Sequence, residues 1–454
     1  MLSAAELAAC IPGAIVQGDA AARFTSVCSD SRQIRPGCLF VALRGDRFDG
    51  HDFVAEAGRS GASVALVERP VDAPLAQVVV RNSRRALGLA AAGWRARFRL
   101  PLIAVAGSNG KTTVTQMLAN ILGRAFGPAR RLATRGNLNN DIGLPLMLFE
   151  LSGSHKAAVL ELGMNHPGEI AYLAQLAQPT VALVNNAQRE HQEFLHGVEA
   201  TARENGAAIA ALPPDGVAVF PADDACASIW RNQAGTRRVL DFARAGSATV
   251  TAEYSLQIDG SQLEIATPGG LIKTRIAVPG AHNVHNALAA TAAALAIDVS
   301  PSAIAAGLAM FTAVSGRGVR SRTAGGADLI DDSYNANPDS VRAAIDLLAE
   351  AAPPRILVLG DMGEVGDRGV EFHGEVGAYA RHRGVQVLLA TGTAMRAACA
   401  AFGAGAEHFD DIDALGGRAR ELDRPGATIL VKGSRFMRME RAVAALGAVT
   451  AGAH

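Results

Sequence analysis

The segment Gly107–Thr113 has the residue types and spacing needed to bind the phosphates of a nucleotide. It reads Gly-Ser-Asn-Gly-Lys-Thr-Thr, follows the apolar run Leu102–Ala106 and leads directly into a helical pattern. Glycines let backbone N–H groups turn inward around phosphate oxygens, and a helix N-terminus adds a favourable dipole. Lys111 would neutralise the β- and γ-phosphates, and the Thr112 hydroxyl would hold Mg²⁺. The predicted nucleotide site comprises Gly107, Ser108, Asn109, Gly110, Lys111, Thr112 and Thr113.

This loop departs from the strict GxxxxGK[ST] pattern, because Val105 occupies the first glycine position. A glycine-containing strand–helix turn with a surface lysine is the competing interpretation. Such turns are common, but a strand, two glycines, Lys-Thr-Thr and a helix in one register are not. The sequence therefore favours a nucleotide site.

Two further candidates follow later apolar runs of the chain. Glu161 comes after 157–160, and His191 comes a few residues after Val181–Val184. Parallel strands deliver functional loops at their carboxyl ends, so both residues should lie on the same sheet edge as the phosphate loop. Mg²⁺ prefers oxygen, which makes Glu161 the natural ligand and His191 the chemically unusual one. A surface histidine with satisfied hydrogen bonds is the competing interpretation of His191.

Asparagine amides could bind the rest of the nucleotide and a peptide. Asn283 and Asn286 lie three residues apart on one helix face and could present amides to an adenine, although Asn283 could instead cap the helix. The loop 136–143 carries three more asparagines, whose amides suit a carboxylate and carbonyl groups but are also routine turn formers. These three are Asn137, Asn139 and Asn140.

Short apolar runs alternate with longer helical patterns over most of the chain, which predicts an α/β protein with parallel sheets covered by helices. The residues before Ser83 show short strand-like pieces joined by polar turns and predict a small α/β module. Residues 236–280 contain the dipeptides Asp259-Gly260 and Gly269-Gly270. These dipeptides are typical of hairpins and predict an antiparallel addition to the central sheet.

A third, doubly wound domain is predicted after Ser315–Gly318, which reads as a linker. The end of the chain, 451–454, is predicted to be frayed. The predicted domains are 1–82, 83–314 and 315–454.

The composition excludes several classes of protein. Lys plus Arg equals Asp plus Glu, 43 each, so the chain lacks the basic excess typical of nucleic-acid and membrane-surface proteins. Five scattered cysteines without a CxxC pair argue against a disulfide framework or a zinc cluster and favour a reducing, cytoplasmic setting. No apolar stretch approaches the roughly 20 residues needed to cross a bilayer. We expect a cytoplasmic protein without a membrane-inserted segment.

With the phosphate loop, several strings of the sequence resemble the Mur ligase superfamily, whose members share the loop G-[ST]-x-G-K-[ST]. Each string is weak alone, but in this order and spacing they are specific, and the resemblance covers essentially the whole chain. The strings are Ser29–Arg32, Pro36–Gly45, Gly136–Gly143, Asp331–Pro338, Gly360–Glu364 and Val431–Arg435.

The resemblance implies three domains: a UDP-substrate domain, a central ATPase domain with a P-loop mononucleotide-binding sheet, and a C-terminal Rossmann-like domain that binds the incoming amine. It implies an ATP-dependent carboxylate–amine ligase of peptidoglycan precursor synthesis, with ATP and Mg²⁺ as cofactors. The implied substrates are UDP-N-acetylmuramoyl-tripeptide and D-alanyl-D-alanine, joined through an acyl phosphate with release of ADP and phosphate. We expect a monomer without nucleic-acid partners.

The resemblance also assigns roles to individual residues. Glu161 and His191 match positions that contact magnesium, and Asn286 or its neighbour matches a contact to the base. Arg317 and Asp332 match phosphate and ribose contacts, although a solvated acidic turn would also explain Asp332. Residues implied to contact the substrates are Ser31 and Arg32 for UDP, and Asn335, Asn337, Lys432 and Arg435 for D-alanyl-D-alanine.

One position departs from the family pattern. Many members carry a lysine in the helix after His191 that reacts with CO₂ to form a metal-binding carbamate, and Asn205 stands at that position here. We hypothesise that Glu204, or a water held by Asn205, supplies the missing oxygen. Two other activities stay open: another ligase of the superfamily, and a nucleotide switch that hydrolyses ATP without ligation.

Overall fold

Three sheets follow one another along the chain in the computed structural model, which describes residues 1–257 and 259–447. They contain five, nine and six strands. The predicted three-domain α/β fold is confirmed, and each domain is named below by its sheet: N-terminal, central or C-terminal. The predicted frayed end, 451–454, lies outside the described residues.

The N-terminal sheet has the strand order β1-β5-β4-β3-β2, in which β1 pairs antiparallel and the other neighbours pair parallel. Ser3 begins the first helix with a capping box, since its hydroxyl accepts the Glu6 N–H while the Glu6 carboxylate accepts the Ser3 N–H. The strands are β1 Ile15–Gln17, β2 Ser26–Cys28, β3 Cys38–Val41, β4 Val64–Val67 and β5 Ala76–Val79, and the helices are α1 Ala4–Ala9 and α2 Val54–Arg59.

The helix α3, Ser83–Arg95, connects the N-terminal domain to the central domain. Asn82 caps it by accepting the Arg85 N–H at 2.8 Å. At its other end the buried Arg95 guanidinium donates to backbone carbonyls, including Ala177 O at 3.0 Å. The Ser83 hydroxyl at the start of the helix donates to Ala42 O of the N-terminal domain at 2.7 Å, so the helix contacts both domains.

The central sheet has the order β14-β13-β12-β11-β10-β9-β6-β8-β7. Its strands are β6 Leu102–Ala106, β7 Arg131–Ala133, β8 Ala157–Glu161, β9 Val181–Val184, β10 Val217–Pro221, β11 Arg238–Ala243, β12 Val250–Gln257, β13 Gly260–Thr267 and β14 Gly270–Ile276. The predicted antiparallel addition is present but begins later than residue 236. The strand β11 still pairs parallel with β10, and antiparallel pairing starts between β12 and β13.

Helices cover both faces of the central sheet. The longest, α4, begins at Lys111 directly after the phosphate loop, as the sequence predicts. The central helices are α4 Lys111–Phe126, α5 Gly143–Leu148, α6 Glu169–Ala177, α7 Gln192–Leu195, α8 Val198–Asn205, α9 Ala207–Ala210, α10 Ala227–Ala234, α11 Ala281–Leu295 and α12 Pro301–Ala309.

The C-terminal sheet has the order β15-β16-β20-β17-β18-β19, parallel except for the edge strand β15. Separate apolar clusters pack on its two faces, which is the doubly wound arrangement. Its strands are β15 Val319–Arg322, β16 Asp328–Asp332, β17 Arg355–Gly360, β18 Val387–Thr391, β19 Ala406–Phe409 and β20 Thr428–Lys432. Its helices are α13 Pro338–Ala349, α14 Gly369–His382, α15 Met395–Phe402, α16 Ile412–Glu421 and α17 Glu440–Ala445. Within the described chain, no helix has the length and apolar character needed to span a bilayer.

Candidate functional site

A cleft of about 1690 Å³ lies between the carboxyl ends of the central and C-terminal sheets. The loops after β6, β8 and β9 reach it from one side, and the ends of β16, β17 and β20 reach it from the other. Parallel sheets place their binding loops at such edges. The predicted residues that line the cleft are Ser108, Asn109, Gly110, Lys111, Thr112, Thr113, Asn137, Asn139, Asn140, Glu161, His191, Asn283, Asn286, Arg317, Asp332, Asn335, Asn337, Lys432 and Arg435.

The phosphate loop depends on glycine at Gly110, which adopts the left-handed conformation with φ +82°. A side chain there would collide with the amides of Asn286 and Asn185. The Lys111 ammonium curls back over the loop and donates to Gly107 O at 2.6 Å and Ser108 O at 3.1 Å. The loop is thus folded into the compact shape that phosphate binding requires.

Three asparagine side chains from two other segments support the loop. Asn185 donates to Asn109 O at 2.7 Å, and Asn186 accepts the Asn109 N–H at 2.9 Å. Asn205 accepts the Gly107 N–H at 2.8 Å. Sequence reasoning missed Asn185 and Asn186, whose position directly after the strand β9 was the available signal.

Asn286 and Asn283 form one hydrogen-bonded chain with Asn185. Asn185 donates to Asn286 Oδ1 at 2.9 Å, and Asn286 donates to Asn283 Oδ1 at 3.3 Å. The alternative that Asn283 caps the helix is wrong, because α11 begins at Ala281 with Gly280 as its N-cap. Both amides nevertheless line the cleft.

Glu161 ends the strand β8 and is only 3% exposed. One carboxylate oxygen accepts a hydrogen bond from Asn139 at 2.8 Å. The other, Oε2, is buried and has no hydrogen-bond partner within residues 1–257 and 259–447. A buried carboxylate oxygen without a donor is costly, so Glu161 suits a cation brought by a ligand.

The asparagines of the loop before α5 have two different roles. Asn139 holds Glu161, whereas Asn140 accepts the Gly143 N–H at 2.8 Å and shapes the turn. Asn137 is exposed at the cleft edge. The turn-forming interpretation therefore applies to Asn140, while Asn139 and Asn137 face the site.

His191 lies between two carboxylates. Its Nδ1 is 2.5 Å from Glu364 Oε2, and its Nε2 is 3.4 Å from Glu190 Oε1. Burial lowers the pKa of the imidazole, but the hydrogen bonds and charges of Glu190 and Glu364 outweigh it and raise that pKa to about 9. The ring is therefore a cation that joins the central domain to Glu364 of the C-terminal domain.

Arg189, which sequence reasoning missed, makes the most extensive contact between these two domains. Its guanidinium donates to Asp339 at 2.6 Å and to Glu375 at 2.6 Å, and its backbone N–H donates to Asp339 at 2.9 Å. Arg342 shares Glu375 at 2.7 Å, and the Arg189 guanidinium packs over the Phe372 ring. The loop that carries His191 is thereby fixed to the C-terminal domain.

Asn109 and Asn337 form a reciprocal amide pair between the same two domains. Each donates to the other, at 3.2 Å and 2.9 Å. Asn337 also caps α13 by accepting the Ser340 N–H at 2.8 Å. The phosphate loop is therefore in direct contact with a residue predicted to bind the amine substrate.

The remaining C-terminal candidates lie close together. Lys432 is buried and donates to Asp332 at 2.5 Å and to Asn335 O at 2.9 Å. The guanidinium of Arg317 lies 4.3 Å from the centre of the Tyr334 ring. Lys432 and Asp332, which were predicted to contact different substrates, are thus one ion pair at the cleft.

Arg435 lies at the outer edge of the same group. Its guanidinium is 5.7 Å from the centre of the Tyr334 ring and donates to Glu440 at 3.1 Å. The side chain is 63% exposed, so it can turn toward a ligand without loss of buried contacts.

The structure does not bring Glu204 to the phosphate loop. Its two oxygens accept the Gly168 and Ile170 N–H groups at 2.9 Å each, at the N-terminus of α6. Asn205 does reach the loop, through Gly107. The hypothesis that Glu204 supplies the missing oxygen therefore conflicts with this geometry, because its carboxylate is occupied elsewhere.

Ser31 and Arg32 lie outside the cleft. They belong to a short 3₁₀ turn of the N-terminal domain, where Arg32 forms a two-point ion pair with Asp30. The side chain of Arg32 is 86% exposed. Any ligand held by these residues would have to extend from the N-terminal domain into the cleft.

Carboxylates are plentiful around the cleft, but they do not form a preassembled metal site. In the described part of the chain, no group of three or more His, Cys, Asp or Glu side chains could hold a metal ion. Mg²⁺ is usually bound through one or two carboxylates together with substrate phosphates and water. The residues present fit that mode of binding.

Comparison with protein families covers most of the chain. The Mur ligase middle domain matches residues 105–294, the glutamate ligase domain of Mur ligases matches 316–435, and the catalytic domain of the Mur ligase family matches 23–95.

Individual relatives agree with this match. The UDP-N-acetylmuramoyl-tripeptide–D-alanyl-D-alanine ligase of Escherichia coli is 41% identical over 93% of each chain, and that of Haemophilus influenzae is 33% identical over 98% of each. A crystal structure of MurF from Acinetobacter baumannii superimposes with a TM-score of 0.91 at 36% identity, covering 98% of both chains. The MurF ligase of Thermotoga maritima in complex with ADP gives 0.82 at 25% identity, covering 94% of this chain and 97% of that one.

Proposed function

The chain belongs to the Mur ligase family, and we propose from this premise that it uses ATP to join D-alanyl-D-alanine to UDP-N-acetylmuramoyl-tripeptide. The observation that carries the proposal is the near full-length similarity to relatives named for this reaction. The cleft adds a chemical reason, since it gathers a phosphate loop and several cationic side chains at one place. The product is the cytoplasmic precursor of peptidoglycan.

The reaction needs ATP because a carboxylate is a poor electrophile. Phosphorylation of the tripeptide carboxylate gives an acyl phosphate, the dipeptide amine attacks it, and the tetrahedral oxyanion collapses as phosphate leaves. Each step brings anions together, so cations placed in advance lower the barrier most. Lys111, Arg317, Lys432 and Arg435 are the cations that line this cleft and match family positions.

Lys111 neutralises the β- and γ-phosphates in this proposal. Its ammonium already lies at the phosphate loop, bonded to Gly107 O and Ser108 O. A phosphate oxygen would be a stronger, charged acceptor than these two carbonyls. The backbone N–H groups of the loop and the N-terminus of α4 add further donors.

Thr112, Glu161 and His191 are proposed to hold Mg²⁺. The buried, partnerless oxygen of Glu161 supports this choice. His191 fits less simply, because both of its nitrogens face carboxylates. When bound, the ion supplies positive charge next to the phosphate oxygens.

The other substrate groups follow the family assignments. Asn283 and Asn286 bind the base, while Arg317 and Asp332 bind phosphate and ribose. Domain 83–314 then carries the ATPase site, domain 1–82 the UDP substrate, and domain 315–454 the amine. The residues proposed for the UDP-linked peptide are Ser31, Arg32, Asn137, Asn139 and Asn140, and those proposed for D-alanyl-D-alanine are Asn335, Asn337, Lys432 and Arg435.

Closure of the C-terminal domain completes the site in this proposal. It converts a three-body encounter into an intramolecular one and protects the acyl phosphate from water. One chain contains every group that the chemistry uses, so we propose a monomer that works in the cytoplasm.

An amine panel tests the function. ADP release should require UDP-N-acetylmuramoyl-tripeptide, be fastest with D-alanyl-D-alanine, and be absent with glutamate or meso-diaminopimelate. The variant Lys111→Ala should lose at least about a thousandfold in rate. A preference for a single amino acid would indicate another ligase of the family, and ADP release without the muramoyl peptide would indicate a nucleotide switch.

A further inference from the structure

This chain cannot build the family's carbamate at the usual position, because Asn205 stands there. Lysine occurs at four positions, Lys111, Lys156, Lys273 and Lys432. The two at the cleft are already occupied, Lys111 at the phosphate loop and Lys432 with Asp332. The charge that a carbamate would contribute must therefore come from another group.

Glu190 has the position and the chemistry to replace it. It lines the cleft and is 8% exposed. Its Oε1 accepts a hydrogen bond from Lys111 Nζ at 3.0 Å. Its Oε2 is buried, and no hydrogen-bond partner for it exists among the residues that the structure describes.

Glu161 and Glu190 both have a buried carboxylate oxygen of this kind. Each uses one oxygen within the protein and leaves the other buried without a donor. Burying a carboxylate oxygen without a donor or a cation to compensate for its lost hydration is unfavourable. A divalent cation is a ligand that would satisfy such an oxygen.

The two residues that precede Glu190 keep it at the cleft. The Gln188 N–H donates to Ser108 Oγ at 2.9 Å, within the phosphate loop. The next residue, Arg189, binds the C-terminal domain through Asp339. Glu190 lies in a segment with little freedom to turn its carboxylate away.

We propose that Glu190 is a ligand of the divalent cation in the nucleotide-loaded site and takes over the task of the carbamate. Asn205, which replaces the lysine, instead supports the phosphate loop through Gly107. This inference rests on the proposed function, because it assumes that the cleft binds a metal–nucleotide complex. It replaces the hypothesis about Glu204.

A simpler role for Glu190 would be to neutralise Lys111 in the empty site. The two roles predict different cation affinities for Glu190→Gln. If the carboxylate only neutralises Lys111, its removal should leave cation affinity unchanged. If it binds the cation, cation affinity falls, while metal-free ADP binds equally well or more tightly because a negative charge near the phosphates is gone.

The experiment is a Mn²⁺ titration of the full chain with saturating ADP, followed by water-proton relaxation. Glu190→Gln should weaken Mn²⁺ binding at least about tenfold. The matched control is Glu193→Gln, which removes an exposed carboxylate from the same segment and should bind Mn²⁺ like the wild type. Unchanged Mn²⁺ affinity in Glu190→Gln would overturn the proposal.

A second measurement addresses the carbamate directly. The wild type should show the same Mn²⁺ affinity in bicarbonate-depleted and bicarbonate-supplemented buffer, and ¹³C-bicarbonate should give no lysine carbamate signal in the NMR spectrum. A carbamate signal that appears with ADP and Mn²⁺ would overturn the proposal. Failure of the wild type to bind Mn²⁺–ADP at all would instead contradict the proposed function.

Discussion

The central domain meets its two neighbours through interfaces of different chemistry. On the N-terminal side, Leu2, Leu7 and Phe24 belong to the same apolar cluster as Leu102 and Phe149 of the central domain. The Phe24 and Phe149 rings pack edge to face with centroids 6.2 Å apart. The first two domains therefore share one hydrophobic core.

The C-terminal side is polar. Its apolar clusters contain residues of the C-terminal domain alone. Across the boundary, Arg189 binds Asp339 and Glu375, His191 binds Glu364, and Asn109 pairs with an asparagine. These groups can exchange their partners for water at modest cost.

The difference indicates which domain moves. Separating the N-terminal domain would expose a large apolar surface, whereas separating the C-terminal domain would expose groups that water solvates well. The first interface should therefore persist through the catalytic cycle, and the second should open and close. The four predictions below test this contrast, starting from the largest expected effect.

Phe24→Ala should destabilise the N-terminal and central domains together. Phe24 is fully buried in the shared core, so truncation should cost about 3–5 kcal/mol of unfolding free energy. Denaturant unfolding followed by circular dichroism measures this loss. Phe48→Ala, at a side chain that is 73% exposed, is the control. A loss below about 1 kcal/mol for Phe24→Ala would contradict a shared core.

Arg189→Ala should, in contrast to Phe24→Ala, affect ligation strongly and stability little. The unfolding free energy should change by no more than about 1 kcal/mol, because its partners are partly exposed and can be solvated. Ligation at limiting D-alanyl-D-alanine should fall about tenfold or more, since closure is lost. Small-angle scattering should show a larger radius of gyration. Arg203→Ala, which removes an exposed pair within one helix, should change neither.

Ionic strength should affect the two interfaces of the wild type to different extents. Raising the ionic strength from about 0.1 M to about 1 M shortens the screening length from about 10 Å to about 3 Å. The radius of gyration should increase because the C-terminal contacts weaken, while the thermal unfolding of the shared core changes little. A radius that is independent of salt would contradict an ionic C-terminal interface.

The pH dependence of closure should follow His191 in the protein without nucleotide or metal. The folded-state pKa is raised to about 9 from an ordinary value of 6.5, so the ion pair with Glu364 contributes fully below about pH 6.5 and is lost as the pH rises through about 9. The radius of gyration should increase modestly over this range. His191→Asn should remove the pH-dependent part, and His166→Asn, in an exposed pair, should retain it.

The site could be predicted from sequence where local pattern determines position. The phosphate loop and Glu161 follow or end strands, and strand ends meet at one edge of a parallel sheet. The Asn283 alternative failed by three residues, because the N-cap of α11 is Gly280 rather than an asparagine. Helix boundaries are the least certain part of a sequence pattern.

The contacts between domains could not be predicted in this way. Arg189 and Asp339 are 150 residues apart, and Asn109 and Asn337 are 228 residues apart. Such pairs depend on how two folded domains are positioned relative to each other. The periodicity of apolar residues along the chain contains no information about that position. Glu204 shows the same limit, because its carboxylate serves a helix 34 residues earlier rather than the phosphate loop.

Because the chain has few lysines, covalent labelling of its lysine amines should be selective for a few positions. Lys111 and Lys432 have side chains only 13% and 5% exposed, whereas Lys156 and Lys273 are exposed. Lys156 precedes β8, at the opposite end of that strand from Glu161. A fluorophore or a sensor surface coupled through amines would therefore attach mainly away from the cleft and leave ligand access unobstructed.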